Sequence, residues 1–115
     1  MTWTIYHHSR CSKSRETLAL LEQLGIKADI VEYQKNPPSI ATLKTLRQQL
    51  GVEVRDMFRQ KEALFSELGL RKPTLTDDQL FAALHQHPAL LERPIVSNGQ
   101  RAVFGRPPEN VRTLL

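Results

Sequence analysis

The sequence predicts an α/β fold with its strands near the two ends of the chain and a helical middle. Two observations carry this. Short β-branched runs occur near both termini, and the stretch between them has helical periodicity without a strand pattern. A third is the resulting order: β-α-β, several helices, then β-β-α.

Trp3-Thr4-Ile5-Tyr6 is the first expected strand. A helix is expected from about Ser12 to Leu24, because Leu18, Leu21 and Leu24 recur at helical spacing and Leu20 widens their face. Gly25 is a natural C-terminal stop. Ala28 to Tyr33 supplies β-branched residues for a second strand, and a strand–helix–strand crossover in one sheet makes the two strands parallel. Asn36-Pro37-Pro38 breaks the chain. From Ser39 to about Leu50 a second helix presents Ile40, Leu43, Leu46 and Leu50 on one side. Further helical material is expected over roughly Val54–Phe58 and Lys61–Leu68, before Gly69. Another helix begins near Thr76, where Thr76 and Gln79 have capping-box spacing and Asp77 and Asp78 suit a helix N-terminus. His87-Pro88 ends it, with His85 and His87 expected on the surface.

Pro94 to Ser97, then Asn98-Gly99, then Arg101 to Phe104 form the strongest short hairpin signal in the chain. Gly105-Arg106-Pro107-Pro108 closes the hairpin, and Glu109 to Leu115 is expected to be a short terminal helix. Without the middle helices the order is βαβ-ββα, that of a thioredoxin-like core. The expectation is one domain over residues 1–115, with a helical insertion at about 38–92 between the second and third strands.

The 115 residues suffice to bury a core, and the composition, 40% hydrophobic and 24% charged, is that of an ordinary soluble domain. The single cysteine excludes an internal disulfide and points to a reducing cytoplasm. No apolar run approaches the ~20 residues of a membrane helix, and no signal peptide is evident. The net charge of +4 is spread among acids rather than gathered in a block, so small anions explain it better than nucleic acid does. The histidines are unclustered and match no zinc spacing, so no metal is expected. There is no Gly-rich phosphate loop, and a C-x5-R phosphatase motif fails because position 17 is Thr17.

The chemistry is concentrated at Cys11. A lone cysteine in an apolar run is ordinarily a small buried hydrophobe. This one stands at a strand–loop–helix junction among His7, Arg10, Lys13 and Arg15. A helix N-terminus and neighbouring cations favour the thiolate and attract anions. Cys11-Ser12-Lys13-Ser14 has the spacing of a C-x-x-C unit with its second thiol replaced by the hydroxyl of Ser14. Any resolving thiol must therefore come from another molecule, glutathione or a glutaredoxin-type protein being the economical choice. Arg59, Arg93 and Arg106 stand out as candidate oxyanion ligands, because guanidinium is planar and offers several donors. Any one of them read alone is a solvated surface residue. Arg93 and Arg106, however, flank one hairpin, and each abuts a proline, Pro94 and Pro107. His7, at the end of the first strand, is either an ordinary strand-end histidine or a group that favours the thiolate.

With these motifs in this order, the chain resembles the glutaredoxin-coupled arsenate reductase (ArsC-like) family, and most closely its short bacterial branch. The resemblance runs from Ile5-Tyr6-His7 and Cys11 to Leu18 through Val54-Arg55 to Arg59, Glu67 to Leu70, Thr76-Asp77-Asp78 and His87-Pro88 to Arg93-Pro94-Ile95-Val96 and Arg106-Pro107. It implies a thioredoxin-like fold with a helical insertion and a cis bond before Pro94. It implies Cys11 as nucleophile, His7 as the residue that lowers the cysteine pKa, and Arg59, Arg93 and Arg106 as oxyanion ligands, supported by Ser14 and Arg15. The implied reaction is attack of the thiolate on arsenate, then attack by glutathione as co-substrate, reduction of arsenic, and regeneration of the thiol by glutaredoxin, with no bound cofactor. The chain departs from the family at His8-Ser9, where Asn-Pro is usual. Three other functions stay open on the residues alone: a glutathione-linked reductase of another oxyanion or thiol substrate, a redox regulator of RNA polymerase with a related fold, and an anion-binding domain without turnover.

Overall fold

The computed structural model of the protein describes residues 2–115. Its centre is a four-stranded mixed sheet in the order β2-β1-β3-β4. Strand β1 (Trp3–His7) leads through helix α1 (Ser12–Gln23) to β2 (Ala28–Glu32), which lies parallel to β1 with Ile5 opposite Ile30. Strand β3 (Ile95–Ser97) runs antiparallel to β1, and β4 (Ala102–Phe104) antiparallel to β3. This is the thioredoxin-like arrangement that the element order predicts.

Between β2 and β3 lie α2 (Ile40–Leu50), a 3-10 turn over Val54–Met57, the short α3 (Ala63–Glu67), α4 (Asp77–Gln86) and a 3-10 turn over Pro88–Leu90. Local chemistry sets their ends. The Ser39 hydroxyl accepts from Thr42 N at 3.1 Å at the start of α2, and Gly51 ends that helix in the left-handed region at φ +68°. The capping box expected at Thr76 and Gln79 is formed in both directions.

The sheet separates two apolar cores. Ile5, Leu21, Val96, Val111 and Leu114 join it to α1 and the C-terminal segment. On the other face the insertion packs Leu43, Phe65, Leu80, Leu84 and Leu91 against Tyr33 and Ile95. One isolated antiparallel bridge, Phe58 to Leu91, ties the insertion to the approach to β3. It is flanked by the Arg59 N–H donating to Leu90 O and the Glu92 N–H donating to Met57 O, both at 2.7 Å.

Four expectations need correction. The buried face of α1 is Ser14, Thr17 and Leu21, whereas Leu18 and Leu24 are only half-buried. The first turn of the helix meets a polar, tightly packed site rather than the apolar core, so hydroxyls occupy its inner face. The hairpin tip is Gly99-Gln100, not Asn98-Gly99. Asn98 is buried, its N–H donates to Arg101 O at 3.0 Å, and its Oδ1 accepts from the N–H groups of Gln100 and Arg101. The terminal helix is a 3-10 helix over Pro108–Leu114. His87 is half-buried, unlike exposed His85, whose Nδ1 lies 2.8 Å from Pro38 O. Among the described residues no helix is long and apolar enough to cross a membrane.

Candidate active site

Cys11 is the N-cap residue of α1 and is 8% exposed. Its side chain makes no formal capping hydrogen bond, but the N–H groups of Ser14 and Lys13 are turned toward it. Burial pushes the thiol pKa up. The Ser14 N–H, the Arg93 guanidinium and the Lys13 N–H together outweigh burial and leave it below the ordinary thiol value. Arg106 comes from the far side of the hairpin and brings Nη2 to 3.6 Å from the sulfur. Two guanidinium groups thus act on one sulfur at the mouth of a helix N-terminus.

The arginines are held in a small network. Arg106 Nε donates to Arg93 O at 2.6 Å and lies 3.3 Å from the Glu92 carboxylate. The same carboxylate accepts from Arg93 N at 3.2 Å. Arg93 Nη1 donates to the Tyr33 hydroxyl at 3.4 Å, while its buried Nε has no partner among the described residues. The Arg93–Pro94 and Arg106–Pro107 bonds are both cis. Gly105, between the two arginine-bearing turns, donates its N–H to Pro94 O at 2.8 Å. A Cβ there would sit 2.6 Å from Thr17 Oγ1 and 2.7 Å from Pro94 Cγ, so only glycine lets α1 approach the hairpin this closely.

Arg59 approaches from the insertion, where the Phe58–Leu91 bridge fixes its backbone. Its Nη1 pairs with Glu62 at 2.9 Å. A cavity of about 460 Å³ opens between this segment and the Glu92–Arg106 pair. Arg15 lies outside the cavity and closes the cysteine loop by donating to Ser9 O at 3.0 Å.

His7 does not stand against the sulfur. It is buried, and its Nδ1 shares a 2.7 Å hydrogen bond with the Ser14 hydroxyl, which also accepts from His8 N at 3.0 Å. Burial lowers its pKa, the Glu32 carboxylate working against the shift and Arg15 with it. Burial thus favours the neutral ring, and the groups that lower the Cys11 pKa are the Ser14 and Lys13 N–H groups and Arg93. His7 bonds Ser14, whose own N–H faces the thiol, which gives it an indirect link to Cys11. Ser14 is fully buried and committed to this bond.

Cys11, Arg93 and Arg106 are brought together, with Arg59 across the cavity and His7 and Ser14 beneath the loop. Glu92, Tyr33, Thr17 and Gly105 were not singled out from the sequence. Glu92 adjoins Arg93 in the chain, but its link to Arg106 exists only once the hairpin forms. Among the described residues no group of three or more His, Cys, Asp or Glu is arranged to hold a metal.

The ArsC family model matches residues 6–114. The chain belongs to the ArsC family. Among its ArsC relatives, an arsenate reductase of Neisseria meningitidis serogroup A is 48% identical over 112 residues, 96% of each chain. An arsenate reductase of Haemophilus influenzae is 47% identical over 116 residues, 100% of each. Among solved structures, an arsenate reductase from Vibrio cholerae superposes with a TM-score of 0.97 at 53% identity, covering 100% of this chain and 98% of that one. A match of this extent places the ArsC fold over both the sheet and the insertion.

Proposed function

We propose that the protein reduces arsenate to arsenite, with Cys11 as nucleophile and two external thiols supplying the electrons. The observation that carries this reading is the convergence of Arg93 and Arg106 on a sulfur whose thiolate is favoured. A lowered thiol pKa makes a nucleophile at neutral pH, and paired guanidinium groups neutralise a tetrahedral oxyanion as it approaches. The names of the relatives point to the same substrate.

The Cys11 sulfur forms a bond to arsenic, and one arsenate oxygen leaves as water. A glutathione thiol then forms a second S–As bond, and a second water leaves. A glutaredoxin thiolate attacks the glutathione sulfur to give a mixed disulfide. The electron pair of the broken S–As bond stays on arsenic, which falls from As(V) to As(III). Water displaces arsenite, and Cys11 recovers its proton. Cys11 is the only cysteine, so both reducing equivalents must come from outside. Ser14, at the fourth position of the C-x-x-S unit, carries a hydroxyl where a second thiol would be. That disfavours a regulator working through a local disulfide.

The test is NADPH consumption in a mixture of arsenate, glutathione, glutaredoxin and glutathione reductase. The wild type should turn over and Cys11→Ser should not, with both melting at similar temperatures. Absence of arsenate-dependent NADPH loss in the wild type, or near-normal loss in Cys11→Ser, would refute the reading.

A further inference from the structure

We propose that the cavity between the insertion and the Glu92–Arg106 pair is the binding site for the glutathione-class co-substrate, a thiol tripeptide with two carboxylates and one ammonium. The inference rests on the arsenate-reductase reading, which requires an external thiol at Cys11 but does not locate it. Three properties of the cavity support it.

The first is size. About 460 Å³ lies in the ~300–1,000 Å³ range of small-molecule sites, far more than a tetrahedral oxyanion fills. The second is charge. The lining carries Arg59, Lys61 and Arg106 against Asp56, Glu62 and Glu92, three bases and three acids that cancel. A site for an oxyanion alone would gain nothing from three carboxylates, whereas a zwitterion uses both signs at separated points. Arg59 and Arg106 already face Glu62 and Glu92, but Lys61 forms no ion pair among the described residues. Lys61 can therefore take a ligand carboxylate without breaking an existing pair, while Asp56, which accepts only from the Glu53 N–H, offers a partner to the ammonium.

The third property is position. Arg106 lines the cavity and also reaches to 3.6 Å from the Cys11 sulfur. In such a tripeptide the thiol is on the central residue. With the charged ends held by the outer lining, that thiol faces the rim at Arg106, where a Cys11-bound arsenic would sit. The other concavity near the loop, about 410 Å³ around His8, Arg10, Glu32 and Lys35, lacks this link. None of its side chains is among the groups that act on the sulfur.

The probe is S-methylglutathione, which keeps the charges but cannot react. In ¹H–¹⁵N NMR titration of the full chain, the amides of Arg59, Gln60, Lys61, Glu62 and Glu92 should shift saturably. Lys61→Glu, at an exposed position that tolerates the change, should weaken binding roughly tenfold. In turnover, the ratio of kcat/KM with glutathione to kcat/KM with 2-mercaptoethanol should fall by a similar factor in Lys61→Glu. Shifts confined to residues 8–10 and 35, no saturable shift, or an unchanged ratio would overturn the site. Saturable shifts at these amides in a protein that never reduces arsenate would support the site and refute the arsenate reading alone.

Discussion

A thiol that attacks an oxyanion at neutral pH needs a stable anion of its own and a counter-charge for the incoming group. Arg93 is placed to serve both ends of that problem, since it favours the Cys11 thiolate and lies beside Arg106. The pH midpoint of Cys11 alkylation should therefore lie below the ~8.5 of a free thiol. Arg93→Leu should raise it, because the cation that favours the anion is gone. His7→Ala should raise it less, because His7 is bonded to Ser14 and it is the Ser14 N–H that faces the sulfur. Equal rises in the two variants would show that His7 acts directly on the sulfur. A second prediction separates geometry from charge. Lysine keeps the charge of Arg59, Arg93 or Arg106 but loses the planar fork, so each Arg→Lys change should lower kcat/KM for arsenate by about tenfold, or ~1.4 kcal/mol. Arg112→Lys, on the exposed face of the C-terminal 3-10 helix, is the control and should change little. Arg47 and Arg101, which also match no site motif, are poorer controls. Arg47 Nε donates to Val52 O at 3.0 Å, and Arg101 donates to Thr113 O.

At the scale of elements, the tightest junction is where α1 meets the turn after β4. Gly105→Ala would drive a Cβ into Thr17 and Pro94, and overpacking of this kind costs about 1–3 kcal/mol. The denaturation midpoint should fall accordingly, and arsenate turnover should fall further than stability explains, because Arg106 is the next residue. Activity unchanged in a folded Gly105→Ala protein would show that this junction does not set the site. The strands and long helices were legible in the sequence because each rests on a local signal: β-branched runs, leucines at helical spacing, the Thr76–Gln79 box. What was not legible depends on distant partners. Nothing local reveals that Ser14 and Thr17 join Leu21 on the buried face of α1, since their burial is created by His7 and Gly105. Nothing local separates an α-helix from the 3-10 helix at Pro108–Leu114 either, because packing against α1 and β4 shapes that segment. In the candidate site, Cys11, Arg93 and Arg106 stood out by their hydroxyl, basic and proline neighbours, and the role of Arg59 came from the family resemblance. Glu92 and Tyr33 did not stand out, since each matters only through a contact across the fold.

Across the whole molecule, the sheet separates a core shared by α1 and the C-terminal segment from one belonging to the insertion. The site lies where the two halves meet, and their attachments to it are unequal. Cys11, Arg93 and Arg106 are interlocked through Gly105, Thr17 and Pro94, where no side chain can be added. Arg59 joins them from a segment held to the approach to β3 by the Phe58–Leu91 bridge, its two flanking hydrogen bonds and the buried Met57 and Phe58. The site is thus a vice whose two jaws are fastened differently. Amide hydrogen exchange would show the difference: the Gly105 N–H should exchange near the global unfolding limit, and those of Arg59 and Glu92 through smaller openings. Equal protection at all three would mean that both jaws are fixed. An Arg59 jaw that opens first would let the proposed thiol donor enter and its disulfide product leave while the sulfur and two guanidiniums stay aligned.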